Sequence, residues 1–336
     1  MSVTHANGGG AARLAEALTR LGERKLTWPM LCARAGVDHS VADPMWRALG
    51  FPDVPPDQLA YSDEDVRALR LATEGLDSLQ GEDRERALEF LVREARTVSG
   101  FLARVAETQV DALAELEALQ LREGARAEAL ECGLERSPLG WLIVYCLRRR
   151  LGEAIRRRGG SEIGTEPVLV VGFIDLVEFT RASTGLDAAE FGRVLGRFEA
   201  LAWDEVTESG GRLVKLVGDE AMFVCPPTVG GAEAALVILG HSGHDGLPDA
   251  RAGLAAGPVL IRGGDYFGPV VNLASRLVDS APSGAVVVDD TYRGILEADH
   301  PDLNVEPLEE RQLKGIGAIS RWRLKRGDDG TLAGRD

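Results

Sequence analysis

The sequence predicts an α+β protein: a ferredoxin-like βαββαβ domain with additions, preceded by an all-α region. Three observations predict it. Up to about Arg158 the chain is dominated by Ala, Leu, Glu and Arg, with apolar residues at helical spacing, for example Leu88, Leu91, Val92 and Ala95. After Glu166 the composition changes to short apolar runs, beginning with Val168-Leu169-Val170-Val171. Those runs alternate with helical stretches in the order β-α-β-β-α-β.

The first ten residues are polar and Gly-rich and read as a disordered start. Residues 11–147 form the expected helical domain. The Pro-rich stretch Phe51-Pro52-Asp53-Val54-Pro55-Pro56 interrupts it. Ser62 followed by Asp65 is a helix-capping pair, and a long helix is expected over about 83–121. Residues 148–166 read as a basic linker, in which Arg148–Arg150 and Arg156–Arg158 flank Leu151–Ile155 and Gly159-Gly160 closes the run. Such a run suits a solvated helix end, where cations are favoured, or a linker that moves between regulatory states. A membrane-surface patch is the weaker reading, because an anchor needs apolar or lipid contacts as well.

The second domain is expected over 167–326, with a disordered tail at 327–336. Its first strand is the apolar run at Val168. A helix follows from about Asp187 to Ser209, and Gly210-Gly211 turns the chain into two β-rich runs, Arg212–Val217 and Ala221–Cys225. Gly218-Asp219-Glu220 joins these as a hairpin. Then come a helix near Gly231–Leu239, strands near Ala252–Gly257 and Val259–Arg262, a further helix, and a strand at Ala285–Asp289. Gly268-Pro269 opens that further helix, since proline is tolerated in a first turn. On it Asn272 and Arg276 share a face, while Leu273 and Leu277 make the core-facing stripe.

Composition excludes several classes of function. A length of 336 residues suggests roughly two domains. The net charge of −15 argues against general nucleic-acid binding, which leaves a basic footprint. Cys32, Cys132, Cys146 and Cys225 lack a C-x-x-C spacing, so reduced thiols in a cytoplasm are expected rather than a disulfide framework or a zinc site. No apolar leader opens the chain, and the longest apolar run, Trp141–Leu147, is too short to span a bilayer. A cytoplasmic protein without a transmembrane segment is expected.

Four positions stand out chemically. Asp175 ends the first apolar strand and Asp219 sits at the hairpin tip. Either alone is ordinary, since aspartate is common in turns. Together on adjacent strand ends they are hard oxygen ligands able to hold Mg²⁺ with substrate phosphates. Lys215 is a lysine inside an apolar strand, costly unless it has a polar partner or faces out from an edge strand. The planar donor fork of Arg276 beside an amide suits a phosphate.

These segments resemble the catalytic domain of class III nucleotidyl cyclases, the adenylyl and guanylyl cyclases, over about Pro167–Leu324 and in the family's order. The resemblance implies that Asp175 and Asp219, with the backbone carbonyl of Leu176, hold two divalent cations, Mg²⁺ or Mn²⁺. It implies that Lys215 and Asp265 read adenine, that Asn272 and Arg276 orient and stabilise the transition state, and that Lys314 holds the triphosphate. The implied reaction is ATP to 3′,5′-cyclic AMP and pyrophosphate. Guanylyl members commonly carry Glu in place of the lysine, so Lys215 with Asp265 favours ATP. Guanylate cyclase and a catalytically silent cyclase-like module, signalling or DNA-associated, are the alternatives. Catalytic domains of this family pair head to tail, so a homodimer with shared active sites is implied, in which Lys215 and Asp219 of one chain serve different sites. Glu178 stands where the family often has Gly. Gly263-Gly264-Asp265-Tyr266-Phe267 is similar to the G-G-D-E-F signature of diguanylate cyclases, but Tyr266 replaces its acidic residue.

Residues from about Leu26 to Gly75 resemble the helix-turn-helix of MerR-type regulators, with helices at Leu26–Val37 and Ser40–Leu49. Four arginines against eight acids in this stretch argue against DNA binding. Helical module and cyclase together resemble actinobacterial, notably mycobacterial, adenylyl cyclases. That resemblance implies an autoinhibitory domain responding to pH or to a fatty acid; a passive dimerisation stalk is the alternative.

Overall fold

A computed structural model describes residues 22–52, 54–118, 138–158, 166–179, 187–244, 246–300, 303–313 and 317–325. The chain divides into two compact units, Met1–Gly160 and Ser161–Asp336. The division falls inside the expected linker.

The first unit is helical. Helices α1 (Trp28–Ala35) and α2 (His39–Ala48) occupy the expected pair of positions. Gly36 ends α1 in the left-handed conformation, and the Asp38 carboxylate caps α2 by accepting from Ser40 N. Helix α3 (Asp63–Ala72) starts with the expected capping box, in which Ser62 and Asp65 satisfy each other's backbone N–H. Trp28, Trp46 and Tyr61 pack ring on ring, and Leu26 pairs with Tyr61 as an antiparallel bridge. The long helix α4 (Gly81–Ala118) lays Leu88, Leu91, Val92 and Ala95 against this core. Helix α5 (Pro138–Arg158) runs through the position expected to divide domain from linker. Leu and Arg are strong helix formers, and the basic run lies within this helix and at its end.

The second unit is built on a seven-stranded sheet. Its elements are β1 (Val168–Leu176), α6 (Ala188–Glu208), β2 (Arg212–Val217), β3 (Glu220–Cys225), α7 (Gly230–His241) and β4 (Ala250–Pro258). Their order in the sheet, β2-β3-β1-β4 with antiparallel neighbours, is the ferredoxin-like arrangement. The additions are a small hairpin of β5 (Leu260–Arg262) and β6 (Asp265–Phe267), helix α8 (Pro269–Ser280), β7 (Val286–Val288), α9 (Asp290–Asp299), β8 (Asn304–Leu313) and β9 (Gly317–Lys325). They extend the sheet beyond β4 as β7-β9-β8.

Both faces of the sheet are covered, which is why β1 reads as a continuous apolar run. Val170 and Ile174 pack with Phe198, Ala202, Ala235 and Tyr292 on one face. Val171 and Phe173 pack with Val270, Ala274, Leu277 and Val278 of α8 on the other. The buried stripe of α8 therefore centres on Ala274 and Leu277, with Leu273 only partly buried at its border.

Candidate active site

Side chains alternate between the faces of a strand. In β1 the odd-numbered Val171 and Phe173 face α8, so Asp175 lies on that face. In β3, Met222 and Val224 face α8 and so does Glu220. In β4, Ala255 faces α8 and so does Arg251. The pairing register sets Asp175 directly between Glu220 and Arg251. Lys215 of edge strand β2 pairs with Met222 and joins the same face.

The hairpin brings the two expected metal ligands together. Gly218 takes φ 66° at the turn, a conformation suited to glycine. Asp219 then accepts a hydrogen bond from Leu176 N through its carbonyl, at 3.2 Å. The end of β1 is further fixed by Val177 N donating to Asp249 O at 2.7 Å. Next in the chain, Glu178 has φ 56°, the left-handed region, with its side chain exposed. This is the backbone conformation that glycine adopts freely and other residues rarely take.

Asp175 is half-buried. Burial raises its pKa and the charges of Asp219 and Asp279 add to that, against the lowering effect of Arg251. Arg251 donates to it from Nε at 2.8 Å and from Nη2 at 2.7 Å. Glu220 is pushed up to about 7, first by burial and then by Asp175, Asp279 and Asp219. Carboxylates held this close are best relieved by a cation, and Asp175 with Asp219 fits hard divalent ions. Among the described residues no three His, Cys, Asp or Glu side chains converge as a metal-binding group. The candidate set is two carboxylates and the Leu176 carbonyl.

The Glu220 shift has a testable sign. Between its ordinary 4.5 and about 7 the native state keeps a proton that the unfolded chain releases, so this group's contribution to stability falls as pH rises. With divalent ions chelated, thermal melts of Glu220→Gln should gain on wild type across that window. A constant difference between the two melting curves would contradict the shift.

Lys215 and Asp265 meet within one chain, Nζ to Oδ2 at 2.5 Å. Burial works to raise Asp265, but hydrogen bonds from Lys215 and Tyr266 N, with the charges of Lys215 and Arg212, hold it below its ordinary value. Arg212 steadies this corner by donating to Gly264 O at 2.9 Å and lying over the Tyr266 ring. The Gly263-Gly264 stretch is thus the β5–β6 turn, apart from the Asp219 hairpin.

Asn272 and Arg276 are exposed on α8, on the side away from its buried stripe. Arg276 pairs with Asp279 at 2.9 Å. Lys314 lies outside the described residues. Arg251 carries no signal in the sequence: its meaning lies in the register that sets it opposite Asp175, which an arginine in an Ala- and Gly-rich strand does not announce.

No family model matches the chain. An adenylate cyclase of Streptomyces coelicolor is 33% identical over 92% of this chain and 88% of its own length. A pH-sensitive adenylate cyclase of Mycobacterium tuberculosis is 29% identical over 89% of this chain and 78% of its own. Among solved structures, the adenylyl cyclase CyaB of P. aeruginosa is 19% identical, covering 49% of this chain and 96% of that one with a TM-score of 0.43. With the Streptomyces similarity spanning both units and the paired aspartates seated at the ends of a ferredoxin-like sheet, the chain belongs to the class III adenylate cyclase family.

Proposed function

We propose that the chain converts ATP to 3′,5′-cyclic AMP and pyrophosphate as a homodimer whose two active sites are shared between chains. The observation that supports this most is the Lys215–Asp265 pair on the Asp175 face of the sheet. Both partners are substantially solvent-exposed, and such pairs add little stability. As recognition groups they are apt: a lysine donor and an aspartate acceptor complement adenine's ring nitrogen and exocyclic amine.

Asp175, Asp219 and the Leu176 carbonyl would hold two divalent cations, Mg²⁺ or Mn²⁺. Held there, the ions would supply Lewis-acid chemistry, lowering the pKa of the ribose 3′-hydroxyl and offsetting phosphate charge. The chain's own residues do the rest. Asn272 orients the reacting ribose and phosphate, Arg276 stabilises charge that develops on the α-phosphate, and Lys314 holds the triphosphate. The 3′-hydroxyl attacks the α-phosphorus and pyrophosphate leaves, so no protein nucleophile is needed. The first unit serves as an autoinhibitory regulator responding to pH or a fatty acid; the pH-sensitive mycobacterial relative supports the former signal. Among the described residues no helix is long and apolar enough to cross a membrane.

The test is the full-length chain with ATP or GTP and Mn²⁺ or Mg²⁺, with cyclic product measured. Cyclic AMP from ATP is expected; no cyclic product from either nucleotide would overturn the reading. Lys215→Glu sets a second carboxylate beside Asp265 and removes a charged donor. It should cut kcat/KM for ATP by about 10²-fold, the upper worth of one charge-assisted hydrogen bond. Unchanged kinetics would reject the base-reading role.

A further inference from the structure

Helix α5 of the first unit keeps a group of apolar side chains in solvent. Trp141, Leu142, Val144, Tyr145, Leu147 and Leu151 are each between 45% and 66% exposed. Among the described elements none packs along this helix. Singly exposed apolar residues are ordinary, but a contiguous group marks an interaction surface. At about 100° per residue, Leu147, Leu151, Val144, Trp141 and Tyr145 fall within an arc of roughly 160°. Of the six only Leu142 lies off it. Trp141 and Tyr145, one turn apart, stack with ring centroids 5.1 Å apart.

Positive charge follows these apolar turns directly. Helix α5 contains six arginines, Arg148–Arg150 and Arg156–Arg158, and one acid, Glu153. Arg150 pairs with Glu153 at 3.4 Å, whereas Arg148 and Arg149 have no carboxylate partner among the described residues. The whole chain carries −15, so an anionic surface repels it unless a cationic segment makes the contact. Helix α5 is such a segment. The basic run alone lacks the apolar contacts that an anchor needs, and the exposed turns before it supply them. Arginine reaches lipid phosphates while its stem stays on apolar surface. Trp and Tyr suit the boundary between headgroups and acyl chains.

We propose that α5 docks in the plane of a membrane on an anionic phospholipid surface, with Trp141, Val144, Leu147 and Leu151 at the acyl boundary and the arginines on lipid phosphates. Contact is peripheral, since among the described residues no helix is long and apolar enough to cross a membrane. The rival occupant is a second copy of this chain, and charge disfavours it. Two α5 helices pairing in parallel would set each arginine triplet beside its twin. Antiparallel pairing about the middle of the helix would still bring Arg148–Arg150 beside their counterparts.

The test sediments full-length protein with vesicles of phosphatidylcholine alone, or of phosphatidylcholine with phosphatidylglycerol. Binding is expected to the anionic vesicles and should weaken as salt rises. One basic residue near such a surface is worth about 5-fold in affinity, so Arg148→Gln with Arg149→Gln should weaken binding about 25-fold. Leu147→Gln with Leu151→Gln should weaken it at least about 10-fold, from the apolar area withdrawn from the membrane. Leucine, arginine and glutamine have similar helix propensities, so the helix should persist in both variants, as circular dichroism will check. Neither readout depends on cyclase activity. Equal binding to both kinds of vesicle, no binding to the anionic ones, or binding that either double variant leaves unchanged would overturn the proposal. So would a fall in the solution mass of the Leu147→Gln, Leu151→Gln protein without vesicles, read by sedimentation equilibrium, which would assign the face to a second copy.

Discussion

Asp175→Ala and Arg276→Ala chains, each assayed alone, should be nearly inactive, and mixing them should restore activity. The single losses follow from what each removes. Without Asp175 one of two carboxylates for the cations is gone, and stabilisation of this kind is worth several kcal/mol. At about 1.4 kcal/mol per factor of ten, a fall on the order of 10³-fold is expected. Without Arg276 the developing phosphate charge loses its guanidinium, and groups of this type contribute about 10²–10³-fold. Recovery on mixing depends on the assembly. In a head-to-tail homodimer the aspartates of one chain meet the Asn272–Arg276 face of the other. A mixed dimer then has one wholly intact site and one doubly defective site. Random exchange makes half the dimers mixed, so roughly a quarter of wild-type activity should return. Asn272 and Arg276 are solvent-exposed on α8, so a partner's substrate can reach them. Subunit exchange must be checked independently, for example by mass spectrometry of differently tagged chains. Exchange without rescue would mean that each chain completes its own site.

How far the sequence reveals this site depends on whether a residue's role is local. Asp175 and Asp219 are legible because an apolar run ending in aspartate and a Gly-Asp hairpin tip are both short-range patterns. Lys215 is legible as an anomaly, and the structure gives it both explanations: it lies on an edge strand and it has Asp265 as a partner. The core elements of the sheet are legible for the same reason, since buried strands and amphipathic helices announce themselves by periodicity. Strands β8 and β9 are not. They extend the sheet at its edge, and runs such as Glu309-Glu310-Arg311 are too polar to read as strand. Yet these strands carry Arg311 and Arg321, which fix the end of α8. Arg251 is hidden for a related reason. Its partner lies 76 positions away, and only strand register brings them together.

Gly253→Ala should disable the protein without touching a functional group. Gly253 lies in β4 beneath α8, and a Cβ there would sit 2.2 Å from Val278 N, 2.7 Å from Ala274 O and 2.7 Å from Leu277 C. All three are backbone atoms of the helix, so no side chain can rotate away; α8 itself must withdraw from the sheet. The glycine has no unusual φ, so the requirement is space alone. Overpacking of this kind costs typically 1–3 kcal/mol, and more where backbone must move. For a domain of this size each kcal/mol lowers the melting point by about 2–4 °C, so a loss of roughly 5–10 °C is expected. Activity should suffer beyond the stability loss. The withdrawn helix carries Asn272 and Arg276, the groups proposed to act on the phosphate, and misplacement of a reacting group by about 1 Å can cost 10²-fold. The same withdrawal would pull Asp279 O away from Arg251 Nη1, which donates to it at 3.2 Å. At a temperature where the variant is fully folded, kcat should therefore still be reduced while circular dichroism is unchanged. A Gly253→Ala protein with wild-type melting and turnover would show that α8 can sit further from the sheet, and that the close seat is not what positions Asn272 and Arg276.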